Sequence, residues 1–468
     1  MAKMKTNVFY HGDCLFVMKH DIPDESIDLI YLDPPFFTGR VQKPKSHDKV
    51  CREHGWDPGA MQISYDDSKK FWKEKGIHER APEWLKHIAL QRPDFASYLY
   101  YMMERLQECH RILKPTGSIY LHCDWRASHY LKMIMDEVFG YKNFRNEIIW
   151  RYRRWTAPSK KFQNMHDTIL FYSRSDSYVF NKLKLEVSDE LKKRKKKGWS
   201  TNTITTKRGT TQHKIRQLLI YDKDVFEKAV KSSRIDLTKY DKVVDATQMK
   251  VYMPDVWDIP FINSMAEERV GYPTQKPIEL LKCIILASSN PKDVVLDPFC
   301  GCGTTVVAAH ELDREWIGID INNVAIEVIK KRCSQLKLDK PLKYSIIERT
   351  IEGVKKMIET AKPKSKGHVF ESWVNEFFSA EKPVDDKGVD GITPDGVPIQ
   401  VKTHKINDTI VNGFYGHVLW HHDVPKPLKT IRLVSGEGYT ESARQAKFEI
   451  ESKEGVKVEL LTLEDLLK

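Results

Sequence analysis

The feature that most constrains this chain is an apolar run ending in a glycine-rich turn, VVLDPFCGCGTT at residues 294–305. Val294–Leu296 has the length of a short buried strand, and Thr304–Leu312 has the spacing of a helix. Between them, Gly301 and Gly303 let the backbone turn tightly and pass close to a ligand. A second short strand, EWIGID, follows and ends on Asp320. In a Rossmann-type sheet, an acidic residue about 20 residues past such a turn is placed to bond ribose hydroxyls. The GxGxxG spacing that cradles a pyrophosphate is absent, so the turn suits a nucleoside cofactor rather than a dinucleotide. Asp297, Phe299, Gly301, Gly303 and Asp320 are the candidate contacts. Alone, the turn would equally serve as a plain strand-to-helix connection.

The same alternation recurs earlier. Val8–Tyr10, Ile27–Leu32 and Ser118–Cys123 read as strands. In Tyr98–Leu113, the residues Leu99, Met102, Met103, Leu106 and Cys109 recur at helical spacing, and Lys114–Gly117 breaks the pattern. Ile278–Ser289 and Asn322–Leu336 are further helices. An α/β fold follows, a mostly parallel sheet with helices on its faces. Two stretches interrupt it: Phe37–Pro93 is polar, and Trp150 to about Val256 is irregular and basic. The second contains KKRKKK at 192–197, either a solvated surface or a phosphate clamp.

A second motif, DPPF at Asp33–Phe36, directly follows the strand IDLIYL. Pro34 and Pro35 stiffen the backbone and offer no amide donor. The Asp33 carboxylate and the Pro34 carbonyl are then fixed acceptors at a strand's carboxyl end, where open α/β sheets bind ligands. Two acceptors can take both protons of an –NH2 group and turn its lone pair towards an electrophile. Phe36 can stack on a base, provided the base has left the helix.

Together the motifs resemble the β-class amino-methyltransferases of DNA over about residues 5 to 340. HGDCLFVMKHDIPDESIDLIYLDPPF looks like the joined third and fourth motifs of that family, and GYPTQKPIELLKCII like the motif at the cofactor's methionine tail. The resemblance implies S-adenosylmethionine as cofactor, with Asp13 and Cys14 near its adenine and Thr274 and Lys276 near its tail. It also implies double-stranded DNA with a flipped target base as substrate, and a Rossmann-like methyltransferase fold. That fold would comprise a catalytic half at 1–150, a target-recognition insertion at 151–255 and a cofactor-binding half at 256–350. Asp33 favours adenine N6, with cytosine N4 as the alternative. NEIIWRYRRW, which opens the insertion, places Trp150 and Tyr152 on one strand face and Arg151 and Arg153 on the other. Such a strand either stacks bases and holds phosphates or is half-buried with a wet basic face.

PKSKG at 363–367 reads as the end of a linker spanning 351–366, and a different pattern then begins. In HVFESWVNEFF, Phe370, Trp373, Val374 and Phe377 make one apolar helical face that leaves out Glu371. A hairpin is expected around Thr393–Gly396, with Asp390 at its edge and Gln400 and Lys402 on one face of the returning strand. This resembles the Mrr-like group of PD-(D/E)xK endonucleases. It implies a restriction-endonuclease-like α/β domain at 367–468, in which Asp390 binds Mg2+, Gln400 orients it, Lys402 supports the attacking water and Glu371 is an auxiliary acid. The neutral Gln400 departs from the usual carboxylate. The alternative is an inactive tail that grips DNA or a partner.

A net charge of +11 suits a polyanionic partner. No apolar run reaches membrane-spanning length, so neither membrane insertion nor export is expected and the cytoplasm is the expected compartment. The eight cysteines lack zinc-finger pairing and are expected to be reduced. Sequence leaves the oligomeric state open, a dimer included. A modification protein with a fused nuclease-like domain is the reading these motifs support. Intact DPPF and glycine motifs weigh against a non-enzymatic DNA-binding protein.

Overall fold

The computed structural model describes residues 4–467 except 40, 43–64, 67, 78, 154–157, 159, 185–195, 209–210, 246–251, 263–265, 267, 271, 273, 336–341, 379, 384–387 and 422. Residues 43–64 of the 37–93 insertion, Arg154 and Trp155, and four of the six residues of KKRKKK therefore lie outside the described residues.

Eighteen strands are described: β1 Val8–Gly12, β2 Ile27–Leu32, β3 Val41–Gln42, β4 Tyr65–Asp66, β5 Leu113–Cys123, β6 Phe144–Arg151, β7 His166–Ser173, β8 Trp199–Arg208, β9 Thr211–Ile220, β10 Lys242–Asp245, β11 Val256–Asp258, β12 Val294–Asp297, β13 Glu315–Asp320, β14 Ser345–Arg349, β15 Gly391–Ile392, β16 Pro398–Lys402, β17 Thr430–Ser435 and β18 Lys457–Thr462. The α-helices are α1 Cys14–Asp21, α2 Lys69–Lys75, α3 Glu83–Gln91, α4 Pro93–Ile112, α5 Ser128–Met135, α6 Lys223–Lys231, α7 Ile278–Ser288, α8 Thr304–Glu311, α9 Asn323–Gln335, α10 Ile351–Thr360, α11 Lys366–Phe377, α12 Asp408–Trp420, α13 Glu441–Glu454 and α14 Leu463–Leu466.

Nine strands form the main sheet in the order β11-β6-β7-β5-β2-β12-β13-β1-β14. From β5 to β14 every pair is parallel, and β7 is antiparallel to both its neighbours. Strands covered on both faces read as continuous apolar runs rather than alternating ones. IDLIYL and VVLD fit this rule, and their residues are almost all buried. One face packs against α1, α4 and α5 through residues such as Met18, Leu99, Leu106 and Leu131. The other packs against α7 and α8 through Leu281, Ile284, Val306 and Ala309. The helix expected over 98–113 begins earlier, at Pro93, where a proline needs no amide partner. β5 starts at Leu113, the last residue of the expected helix, and runs through the expected break at Lys114–Gly117, because β2 supplies ladder partners for Leu113 and for Ser118 onward.

Trp150 and Tyr152 are buried in the core beside Phe261, and the Trp150 indole donates to the Ile259 carbonyl at 2.9 Å. Arg151 is exposed and paired with Asp258. The strand is thus half-buried with a wet basic face, and its aromatics are committed to packing.

The C-terminal unit has its own four-stranded sheet, β15-β16-β17-β18, in which the β15–β16 hairpin is antiparallel and the rest parallel. The turn falls at Thr393–Gly396 as expected: the Gly396 amide donates to the Thr393 carbonyl at 2.8 Å. The segment 351–366 is not a flexible linker. It holds α10, a short 3-10 turn and the start of α11. Ile351, Val354 and Ile358 of α10 share a core with Phe370, Trp373 and Val374 of α11 and with Leu463 of α14. A helix with such an apolar stripe is held by what it packs against, and the Pro–Ser–Gly signal marked only a corner between two packed helices.

The two units meet at β14. The Trp373 indole donates to the Glu348 carbonyl at 2.8 Å, and the Arg349 guanidinium lies over the Trp373 and Phe377 rings while its head group binds Asp21 at 2.6 Å. Trp373→Ala should cost about 3–5 kcal/mol, the usual loss for truncating a buried tryptophan, read as a lower denaturant midpoint. A loss below about 1 kcal/mol would show that this junction does not hold the units together.

Candidate active site

Adjacent parallel strands bring their carboxyl ends to one edge. Leu29 and Ile30 of β2 pair with Val295 and Leu296 of β12, so the loop after β2 lies beside the loop after β12. These loops, with the ends of β13 and β1, enclose a cavity of about 480 Å³. Asp13, Cys14, Asp33, Pro34, Pro35, Phe36, Thr274, Lys276, Asp297, Phe299, Gly301 and Asp320 all line it. The expected catalytic and cofactor residues therefore converge, although they come from parts of the chain more than 200 residues apart. Gly303 lies just outside the lining: it caps α8 in the left-handed conformation, φ +75°, and packs towards Ile329.

Local bonds set the loop after β12. The Asp297 carboxylate accepts from the Phe299 amide at 3.1 Å and from the Thr305 hydroxyl at 2.5 Å, tying the start of the loop to the start of α8. Gly301 has φ +50°, and a Cβ there would meet the Tyr272 ring at 3.0 Å. Its amide donates to Asp320 at 2.8 Å, and the other Asp320 oxygen accepts from Asn322 at 2.8 Å. Asp320 is thus an organiser of the loop as well as a cavity wall.

Asp13 behaves similarly. One oxygen caps α1 by accepting from Leu15 at 2.7 Å, and the other takes the Arg105 guanidinium at 2.6 Å. Burial pushes the neighbouring Cys14 thiol up to about 12, so it faces the cavity protonated. Lys276, expected at a cofactor tail, instead pairs with Asp33 Oδ2 and lies 5.1 Å from the centre of the Phe36 ring. Both partners are largely shielded from solvent. The other Asp33 oxygen has no hydrogen-bond partner among the described residues.

Several contributors escaped the sequence reading. Phe71, Trp72 and Lys75 of α2 line the cavity from within the polar insertion, and Tyr31 and Tyr101 add rings. The pair Phe71–Trp72, isolated in a Lys-rich stretch, was the available signal for α2. Arg105, a cation inside the apolar stripe of α4, was another. Behind Phe36 lies a buried relay: Tyr31 Oη meets His122 Nδ1 at 2.9 Å, His122 Nε2 meets Asp167 at 3.3 Å, and Tyr152 donates to Asp167 at 3.1 Å. Burial opposes charge on Asp167, but the bonds from His122 and Tyr152 and the charge of Lys276 outweigh it and hold its carboxyl below the usual range. No spacing rule connects residues 31, 122, 152 and 167.

With this geometry, the sequence comparison gains a structural meaning. The model describing the N6/N4 DNA methylases matches residues 27–331. The chain belongs to that family. It is 30% identical over 331 residues to the type II methyltransferase M.EcaI of Enterobacter cloacae, covering 65% of this chain and 64% of that protein, so it spans just under two thirds of that relative's length. It is 28% identical over 324 residues to the DNA adenine methyltransferase YhdJ of Escherichia coli strain K12, covering 69% of this chain and 81% of that protein. Among solved structures, the cytosine-N4-specific PvuII DNA methyltransferase is 14% identical with a TM-score of 0.39, covering 71% of this chain and 88% of that one. The family match takes in β2, β12 and β13 and ends within α9, before the C-terminal unit.

In that unit, Asp390 lies close enough to Glu371 and to Lys402 to feel both charges. Burial raises the Asp390 carboxyl above its ordinary range, and one of its oxygens accepts from the Val401 amide at 2.7 Å. Gln400 and Lys402 lie on one face of β16 and Ile399 and Val401 on the other, packed against α11, as expected. The Gln400 amide donates to the Gly388 carbonyl at 3.0 Å, and its own oxygen is buried without a partner among the described residues. Glu371 is engaged by Lys382 at 2.9 Å and by His368 at 3.4 Å. Among the described residues, no three His, Cys, Asp or Glu side chains are grouped to hold a metal ion.

Burial pushes the Asp297 carboxyl up to about 7; the Thr305 and Phe299 bonds pull it down, and the charges of Asp33 and Asp320 push it up. An unfolded aspartate titrates near 3.9. Between these values the folded chain binds more protons than the unfolded chain, so this group's contribution to stability is full below about pH 4 and is lost as pH rises through 7. Asp297→Asn should remove that slope, so that the variant's thermal midpoint changes less than the wild type's between pH 4 and 7. Identical slopes would mean that Asp297 is ionised throughout the window.

Proposed function

We propose that this protein transfers a methyl group from S-adenosylmethionine to an exocyclic amine of a base in double-stranded DNA, adenine N6 rather than cytosine N4, as part of a restriction–modification system. The observation that carries the reading is the placing of Asp33 in one cavity with the glycine turn and Asp320. The names of the two relatives, a type II methyltransferase and a DNA adenine methyltransferase, support it from the sequence side.

The cavity suits such a cofactor. It has aromatic walls for an adenine, the Asp320 carboxylate for a ribose, and the neighbouring carboxylates of Asp297 and Asp320 to favour a cation. When bound, S-adenosylmethionine supplies an electrophilic methyl group on a positively charged sulfur. Every other task falls to the protein. Asp33 Oδ1 and the Pro34 carbonyl accept the two amine protons and direct the nitrogen lone pair at the methyl carbon. Phe36, braced from behind by His122 at 5.7 Å between ring centres, offers a face for the flipped base. Lys276 holds Asp33 in place until the amine arrives, and Asp33 is positioned to take the proton that the methylated nitrogen sheds.

Asp33→Ala should lower methyl transfer from labelled cofactor to DNA by at least about 100-fold, the scale of one lost electrostatic group at a reacting centre, while calorimetric cofactor affinity stays near wild type. Near-normal turnover would overturn the role of Asp33. Digesting the methylated DNA to nucleosides identifies the base, and N4-methylcytosine without N6-methyladenine would reverse the choice of adenine.

A second activity is favoured by the buried Gln400 oxygen, unpartnered among the described residues, on the strand to whose backbone Asp390 bonds. We infer that these two oxygens hold Mg2+, that Lys402 supports a water attacking a DNA phosphate, and that Glu371 assists once released from Lys382. With one carboxylate and one neutral oxygen the ion is held weakly, so millimolar Mg2+ or Mn2+ is required. Without cleavage, the unit would be a module that grips DNA or a partner. On supercoiled unmethylated plasmid, wild type should nick or linearise while Lys402→Ala does not, with methylation intact in both. A wild type that leaves every unmethylated substrate uncut would reduce the domain to binding.

A further inference from the structure

Within the basic insertion, β8 and β9 pair at all ten positions, from Trp199 with Ile220 to Arg208 with Thr211. The near end has a core: Leu218 packs on Ala229 of α6 and on Ile235, with Trp199 and Phe226 beside them. β10 lines the β9 edge from Gln217 to Ile220, and Asp241 just before it bonds both backbone groups of Arg216. Thr201 to Thr205 are all exposed, as are Lys214 and Arg216. An isolated two-stranded hairpin is marginal in water, so a long exposed one is suited to a partner that covers it.

Charge indicates the partner. The hairpin, residues 199–220, contains four Lys and Arg and no Asp or Glu, and six more Lys and Arg stand just before it at 192–197. Phosphates are the complement of such a segment. The major groove of duplex DNA, about 12 Å wide, admits a two-stranded ribbon. The exposed stretch from Thr201 to Thr205 and from Lys214 to Gln217 has no aromatic ring, so it lacks the stacking platform that single strands use.

Register separates the two faces. Directly paired residues project to the same side. Thr201 with Leu218, Thr203 with Arg216 and Thr205 with Lys214 share the face that α6 backs, and Arg216 approaches Asp241 at 3.6 Å there. Asn202 with Gln217 and Ile204 with Ile215 share the opposite face. Neither amide has a hydrogen-bond partner among the described residues. Two adjacent amides and an adjoining apolar pair are what an adenine edge and a thymine methyl require. We propose that the β8–β9 ribbon enters the major groove and reads base edges through Asn202 and Gln217, with Lys214 on phosphate. This rests on the reading of DNA as substrate, but its test does not depend on methyl transfer.

The probe is a pool of random 20-base-pair duplexes selected by full-length protein. Wild type should enrich one sequence. The double variant Asn202→Ala/Gln217→Ala should lose roughly ten-fold or more of the preference at one or two positions of that sequence while binding unselected duplexes as before. Lys214→Ala should keep the sequence, weaken all duplexes alike and reduce the slope of log K against log salt by about one. Circular dichroism and calorimetric cofactor binding should match wild type in both variants. An unchanged preference in the double variant, or a wild type that enriches no duplex or prefers single-stranded RNA, would overturn the proposal. If wild type enriches a duplex but transfers no methyl group to it, the proposed activity falls and the ribbon's role stands.

Discussion

The pairing of β2 with β12 is the contact on which the site depends. The two strands lie about 260 residues apart in sequence, and two register pairs hold them side by side. Asp28 reinforces the join: one oxygen accepts from the Val294 amide at 2.9 Å, and both take the Lys114 ammonium of β5 at 2.8 Å. One carboxylate thereby fixes three neighbouring strands. A slip of one residue along either strand would reverse which side chains face each helix layer and carry the Asp33 loop away from the glycine turn.

Because the loops are set by strand ends, most of the carboxylates around the cavity have two duties. Asp13 caps a helix, Asp297 braces a turn, and Asp320 collects two backbone amides. Asp33 alone keeps an oxygen free of protein partners among the described residues. Its lysine partner reaches it from the loop before α7 and reaches Asp167 electrostatically on the other side. Burial first, and the nearby charges of Asp33 and Asp320 after it, raise the Asp297 carboxyl.

Local grammar made much of this legible. The glycine turn, the DPPF loop and the apolar strand runs each carry their own signal over a few residues, and each fell where its pattern put it. The hairpin at Thr393–Gly396 and the faces of β16 were readable for the same reason. Contacts with no fixed spacing were not. Nothing in the sequence joins His122 to Asp167, or seats Trp72 over the cavity. WRYRRW alternates equally well for a base-stacking strand and for a buried one, and only its neighbour β11 and the Ile259 carbonyl decide between them. PKSKG misled because proline and glycine mark a change of direction, which a packed helical corner needs as much as a tether does.

That corner bears on how such a chain can be assembled. The sequence punctuation suggests a seam near residue 363, as though one unit had been spliced onto the other there. The packing puts the true seam ahead of α10, whose Ile351, Val354 and Ile358 complete the C-terminal core. A transplanted C-terminal unit that began at the apparent seam would leave its cover behind, with Phe370 and Trp373 bare. An exchange that kept its cover would have to include α10. It would then carry away the residue after β14, whose Glu348 and Arg349 are anchored in both halves. The two units are modular in their motifs and not in their cores, and for them inheritance as a single piece is the easier course.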